Sequence, residues 1–297
     1  YKPNEKSSTY LSKELEQEYI ANNQLRKFKY VYEDDKESLE MLFANIDDPQ
    51  QTMEAIISKI VDDNDKDFKG IRTWEDFRQK IDQLSQKSSE SGKTSNEISV
   101  LSWRKFKRII NKTLKDDGLF AQRVVDDTRD ECRLAEELKR IKANDIKVID
   151  IAKLPEDKQA FVFGDSLKSL YNLKLGEYDE ELPSGEIPDR IIIFVDELNK
   201  YVSKDSPKNS PILRQILDIT ERGRSLGVVL FGAEQFRSNI HSRVTGNCAT
   251  HAYGRTNTIE TSTKDYSSFP TTYKNILIRL EQGEYLIQNP MFRALLK

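Results

Sequence analysis

The stretch Arg190-Ile191-Ile192-Ile193-Phe194-Val195-Asp196-Glu197 decides how the rest of the chain is read. A run of apolar, mostly β-branched residues fits a strand buried on both faces, and the two carboxylates that follow fall at its C-terminal edge. Open α/β sheets bind their ligands at that edge. An adjacent acid pair there suits nucleotide hydrolysis. Asp196 would accept hydrogen bonds from magnesium-bound waters, and Glu197 would orient and deprotonate the attacking water. A core strand ending in a solvated acidic turn has the same sequence.

Working outward, Ser210-Pro211 signals a helix start, with Ser as N-cap and Pro at the first helical position. Ile212, Leu213, Ile216, Leu217 and Thr220 recur at helical spacing up to Gly223, a natural C-cap. A second apolar run, Val228 to Ala233, ends in Glu234-Gln235, and a third short strand is expected over Ala249 to Tyr253, before Gly254-Arg255. Three successive strand ends thus offer an acid pair, an amide and a cation. That set suits metal and water handling, γ-phosphate sensing and transition-state charge.

The succession IIIFVDEL, a helix, ERGRSLGVVLFGAEQ, NCATHAYGR and LEQGEYLI resembles the C-terminal half of the ATPase core of the HerA/FtsK family, the HerA branch more closely. The match runs from about Ile146 to the end. Upstream, only the order of helices and strands agrees. HerA proteins usually continue the acid pair with an Ala-His type sequence, whereas Leu198-Asn199 stands here.

The resemblance implies a RecA-like, mostly parallel sheet with flanking helices, and ATP and Mg²⁺ as cofactors. It implies Asp196 as the nucleotide and metal residue, Glu197 as the base and Gln235 as the γ-phosphate sensor. It also implies Arg224 as an arginine finger reaching a neighbouring subunit's nucleotide, with Arg255 as a second candidate. A cation complementing a helix C-terminus is the plainer role for Arg224.

No G-x-x-x-x-G-K-[ST] sequence occurs among the 297 residues, so the loop whose amides and Lys cradle phosphates is missing from them. Ser91-Gly92-Lys93-Thr94 has the tail of such a loop. Its context is wrong, because Lys87 stands where the first Gly belongs and the preceding residues are polar rather than a buried strand. Since the chain begins at Tyr1 in a polar stretch, the expectation is that a first strand and the phosphate loop precede it. A degenerate ATPase is the alternative.

Hydrophobic residues make up 37% of the chain, enough for a core, while 33% are charged with a net charge of only −3. Acids and bases are interspersed, so any DNA contact must be local. Cys132 and Cys248 lack metal spacing, with only His241 and His251 beside them, and read as reduced cysteines of a cytoplasmic protein. No apolar run approaches the roughly 20 residues that span a bilayer.

Three regions follow. Residues 1–37 are polar and charged with a short strand expected at Leu25 to Tyr32, and the resemblance implies that they are an N-terminal remnant of the ATPase core. Residues 38–141 read as an α-helical insertion domain. Its stripes are Leu39, Leu42 and Phe43, then Met53, Ile56, Ile57 and Ile60, then Trp74, Phe77, Ile81 and Leu84, with a polar linker at Ser85 to Asn96. Its helix from Trp103 to Lys112 carries a dense basic face, either solvated or in contact with DNA or a partner. Residues 142–297 hold the C-terminal half of the core. A strand at Ile146 to Ile151, a helix at Lys158 to Leu173 and the strand at Ile191 to Val195 give a βαβ rhythm, and Asp150 is left structural. Tyr178 to Asp189 is an acidic loop.

Two functions are therefore expected. One is a hexameric, ATP-driven double-stranded DNA translocase or helicase working with a nuclease or defence effector partner, in DNA repair or antiviral defence. The other is a non-catalytic ring-forming module that organises a partner effector. The retention of Asp196, Glu197, Gln235 and Arg224 favours the first, because a scaffold has no physical need for all four.

Overall fold

The computed structural model describes residues 12–86, 98–114, 118–122, 131–177 and 187–292. It is a mixed α/β protein that divides into two units, Tyr1–Pro188 with Asn209–Pro211, and Asp189–Lys208 with Ile212–Lys297. Among the described residues no helix is long and apolar enough to cross a membrane.

The first unit is built round β1 (Lys27–Val31), which pairs in parallel with β2 (Phe120–Ala121) on one side and β3 (Glu131–Arg133) on the other. The helices are α1 (Lys13–Ala21), the single turn α2 (Tyr32–Asp35), α3 (Thr52–Val61), α4 (Trp74–Gln86), α5 (Val100–Thr113), α6 (Leu134–Lys139) and α7 (Glu156–Leu175). The stripes read from the sequence are the buried ones: Met53, Ile56 and Ile60, then Trp74, Phe77 and Ile81, lie inside. Aromatic rings tie helices to strands. Tyr30 meets Phe161 edge-on at 4.6 Å, Tyr32 stacks on Phe77 at 4.9 Å, and the Trp74 indole N–H donates to the Tyr30 carbonyl at 3.0 Å.

Three expectations are corrected here. The stretch 38–141 is not purely helical, because β2 and β3 come from it and complete the sheet begun by β1. The helix expected to return towards the acidic strand, α7, belongs to the first unit, because Phe161 packs on Tyr30 and Phe120 and Asp165 bonds to Tyr30 and Ser38. Ile146 to Ile151 forms no strand: it has no ladder partner, and Ile146 and Val148 are exposed. Alternating β-formers supply propensity, but a strand also needs an edge to pair with. The Asp150 carboxylate accepts from the Ala152 N–H at 3.1 Å.

Buried carboxylates make this unit sensitive to pH. Asp165 accepts hydrogen bonds from the Tyr30 hydroxyl at 3.0 Å and from the Ser38 hydroxyl. Asp35 accepts from the Val31 N–H at 2.6 Å and from the Arg133 guanidinium at 3.1 Å. Burial pushes Asp35 up to about 6, against the pull of Arg133, and Asp165 adds to the rise. Burial raises Asp165 too, opposed by its hydroxyl donors, Lys168 and Arg133.

A raised carboxyl pKa means that the folded state holds a proton which the unfolded chain has lost, so stability falls as pH rises through this window. We expect the urea midpoint of unfolding to be higher near pH 5 than near pH 7.5. Asp165→Asn should shrink that difference by removing one of the two charges, and an unchanged difference would show that the pair does not titrate in this range.

The second unit contains the stretch Arg190 to Glu197. Strand β4 (Ile191–Val195) pairs in parallel with β5 (Val228–Gly232), in register from Ile191 opposite Val228 to Val195 opposite Gly232. The helix α8 (Pro211–Leu226) connects them, as a parallel pair requires. Beyond come α9 (Ser242–Asn247), β6 (His251–Tyr253), α10 (Thr258–Thr261), α11 (Thr271–Arg279) and β7 (Leu286–Gln288).

The third expected strand does not extend the parallel sheet. β6 pairs antiparallel with β7, over a separate core of Tyr253, Tyr266, Phe269, Leu277, Leu280 and Leu286. Nor is the β4–β5 pair buried on both faces. Ile191, Val195 and Val228 are buried, but Phe194 is 76% exposed and stacks on Phe231, itself 52% exposed, at 5.0 Å on the open face.

Candidate functional site

The backbone ladder carries the two strand ends on past the sheet. The Ala233 N–H donates to the Val195 carbonyl at 2.8 Å, and the Leu198 N–H donates to the Ala233 carbonyl at 3.1 Å. Asp196 and Glu197 on one chain end, and Glu234 and Gln235 on the other, are thereby held at the same C-terminal edge. Three of the sequence candidates, Asp196, Glu197 and Gln235, are brought together in this way.

Glu197 adopts a left-handed conformation with φ of 53° and ψ of 50°, uncommon for a residue with a Cβ. Strain of this kind costs about 1 to 3 kcal/mol and gathers at functional sites. It turns the chain sharply off the strand, while the Asp196 carboxylate accepts from the Glu197 N–H at 3.0 Å. Glu197 forms an ion pair with Lys200, one turn on. Both partners are more than 40% exposed, so the pair contributes little to stability and can open for a substrate.

Among the described residues no group of three or more His, Cys, Asp or Glu could hold a metal ion. The fit to magnesium is of another kind. Mg²⁺ keeps several waters and is usually held by one or two carboxylates together with substrate phosphates. Asp196 is exposed, and one of its oxygens is bonded only to a neighbouring backbone N–H, which leaves the other for a hydrated cation.

Arg224 lies elsewhere. α8 does not end at Gly223; it runs on to Leu226 and is followed by Gly227 with φ of 74°. Gly223 is a packing residue, since a Cβ built there would meet the Val228 carbonyl oxygen at 2.5 Å. Arg224 therefore belongs to the last helical turn, beside the start of β5. The five residues of β5 separate it by about 17 Å from the edge bearing the acids. It is exposed, and among the described residues no ion pair engages it. We expect Gly223→Ala to lower the urea midpoint, since overpacking costs about 1 to 3 kcal/mol and outweighs the gain of up to about 1 kcal/mol in helix propensity. A stabilised variant would refute the close approach.

Arg255 is exposed, two residues beyond β6 in the antiparallel pair, and shares no ladder with β4 or β5. The Ser91 to Thr94 tetrapeptide and most of the acidic Tyr178 to Asp189 loop lie outside the described residues.

Sequence reasoning missed the group beside Gln235. Burial pushes Glu234 up to about 7, with Arg237 opposing and Glu260 and Asp265 adding to the rise. One oxygen of Glu234 is buried without a hydrogen-bond partner. Arg237 donates to the Tyr253 hydroxyl, lies 3.3 Å from His251 Nδ1 and sits over the Tyr253 ring at 5.5 Å. Glu260 accepts from the Ser238 N–H at 2.9 Å and from its hydroxyl at 2.7 Å. These contacts fasten the loop after Gln235 to α10 and β6. The signal available was an acid directly after an apolar run with an Arg three residues on. Among the described residues Cys132 and Cys248 form no disulfide. No family model matches the chain, and no curated protein matches it.

Proposed function

We propose that this chain is the hydrolytic half of a HerA-like, ATP-driven translocase or helicase of double-stranded DNA, acting as a ring of six copies like the family it resembles, alongside a nuclease or defence effector. The observation that carries the proposal is the parallel β4–β5 pair, whose ladder continues to the strained acid turn and holds Asp196, Glu197 and Gln235 at one edge. Asp196 would hold Mg²⁺ through the ion's waters, and the bound ion would supply charge neutralisation at the phosphates. Glu197, released from Lys200, takes the proton of the attacking water, and Gln235 donates to the γ-phosphate. Arg224, remote from its own acid pair, supplies positive charge to the site of the next copy. The open apolar face around Phe194 and Phe231 supports a larger RecA-like sheet in which further strands and helices cover it.

No phosphate-loop sequence occurs among these 297 residues, so hydrolysis on this reading depends on a cradle of loop amides at a helix N-terminus supplied by other residues. Phosphate release provides the test. This chain alone should show no ATP hydrolysis that depends on Glu197, whereas the protein including its phosphate loop should hydrolyse ATP and respond to duplex DNA. Hydrolysis by the chain alone, abolished by Glu197→Gln, would overturn this division of labour.

A further inference from the structure

The most basic helix of the described chain lies in the unit that holds none of the ATPase candidates. α5 carries Arg104, Lys105, Lys107, Arg108 and Lys112 and no carboxylate, in a protein whose net charge is −3. Its inward face is Trp103, Phe106, Ile110 and Thr113, all buried. Three of its cations, Arg104, Lys107 and Arg108, line an open cleft of about 370 Å³ together with Ser85, Gln86 and Asn111.

Arg104, Arg108 and Lys112 recur every fourth residue, about 6 Å apart along the helix axis. Lys107 is paired with Asp82 at 3.1 Å and Lys112 with Asp157 at 3.6 Å. Among the described residues no carboxylate lies within ion-pair distance of Arg104 or Arg108. The Arg104 Nε–H does donate to the Ser85 carbonyl at 3.1 Å, which leaves its charge uncompensated.

We infer that this face of α5 binds the phosphate backbone of double-stranded DNA, an assignment that rests on the DNA-motor reading above. Two features select the ligand. Single-stranded nucleic acid is held by exposed aromatic side chains on which bases stack, and here Trp103 and Phe106 are 4% and 0% exposed. Gln86 and Asn111 are the two amides in the cleft, too few to read a run of base pairs, so contacts between the cations and phosphates set the affinity. What remains is a row of cations suited to phosphates, giving binding that is indifferent to sequence and sensitive to salt.

The test is fluorescence anisotropy of two short labelled duplexes of unrelated sequence, titrated with the 297-residue chain at several salt concentrations. The triple variant Arg104→Gln, Arg108→Gln, Lys112→Gln alters only exposed positions. It should bind both duplexes at least about tenfold more weakly, with a salt slope lower by about 2 to 3. Arg104→Lys with Arg108→Lys should keep most of the affinity, and far-ultraviolet circular dichroism checks that α5 is retained.

Failure of the wild-type chain to bind any duplex would sink the DNA reading together with this site. Wild-type binding that the triple variant leaves intact would sink the site alone. Equal or tighter binding of a single strand, or of anionic lipid vesicles, would overturn the assignment to duplex DNA.

Discussion

Arg224→Ala, made in the protein that includes its phosphate loop, is expected to cut ATP turnover by about 10³ to 10⁵, the range found for supplied arginine fingers. ATP binding to a single copy should scarcely change, because the residue lies beside the start of β5 while the acids lie beyond the end of β4. On the proposed function a cation that remote would meet the nucleotide of a neighbour and would act mainly on charge that develops in the transition state. The measurement is turnover beside the melting temperature. If the loss of activity tracks a loss of thermal stability, Arg224 is the helix-end cation of the plainer role.

Glu197→Gln should lower turnover by about 10² to 10⁴, the contribution of a positioned general base. Gln keeps the shape but cannot take the proton, so ATP binding in the presence of Mg²⁺ should persist and nucleotide should stay trapped unhydrolysed. The same substitution removes the charge partner of Lys200, an exposed pair whose loss should leave the melting temperature nearly unchanged. Retained turnover would assign the water-activating role to another group. Glu234 is the foremost alternative, poised at about 7 on the same edge.

The parts of this site that could be read from the sequence are those that local chemistry determines. Two apolar runs became β4 and β5 in register, and Ser210-Pro211 marked the start of α8. Gly223 was misread because a C-capping glycine and a glycine that admits a neighbouring backbone look alike in sequence. Only the packing against Val228 separates them, and Gly227 is the residue that follows the helix with positive φ. β6 was assigned to the wrong sheet because its partner, β7, lies far downstream and three residues carry no mark of which edge they join. Ile146 to Ile151 has the propensity of a strand without a neighbour to pair with. The raised carboxyl of Glu234 depends on burial against Arg237, Glu260 and Asp265, which no spacing rule discloses.

If Glu197 of one copy and Arg224 of another complete a single ATP site, mixing the two inactive variants restores activity. In a random equal mixture of Glu197→Gln and Arg224→Ala subunits, roughly a quarter of the interfaces in a ring join an intact Glu197 to an intact Arg224. Phosphate release should therefore rise well above that of either variant alone, peaking near equal proportions. Mixtures no more active than the separate variants would contradict the account.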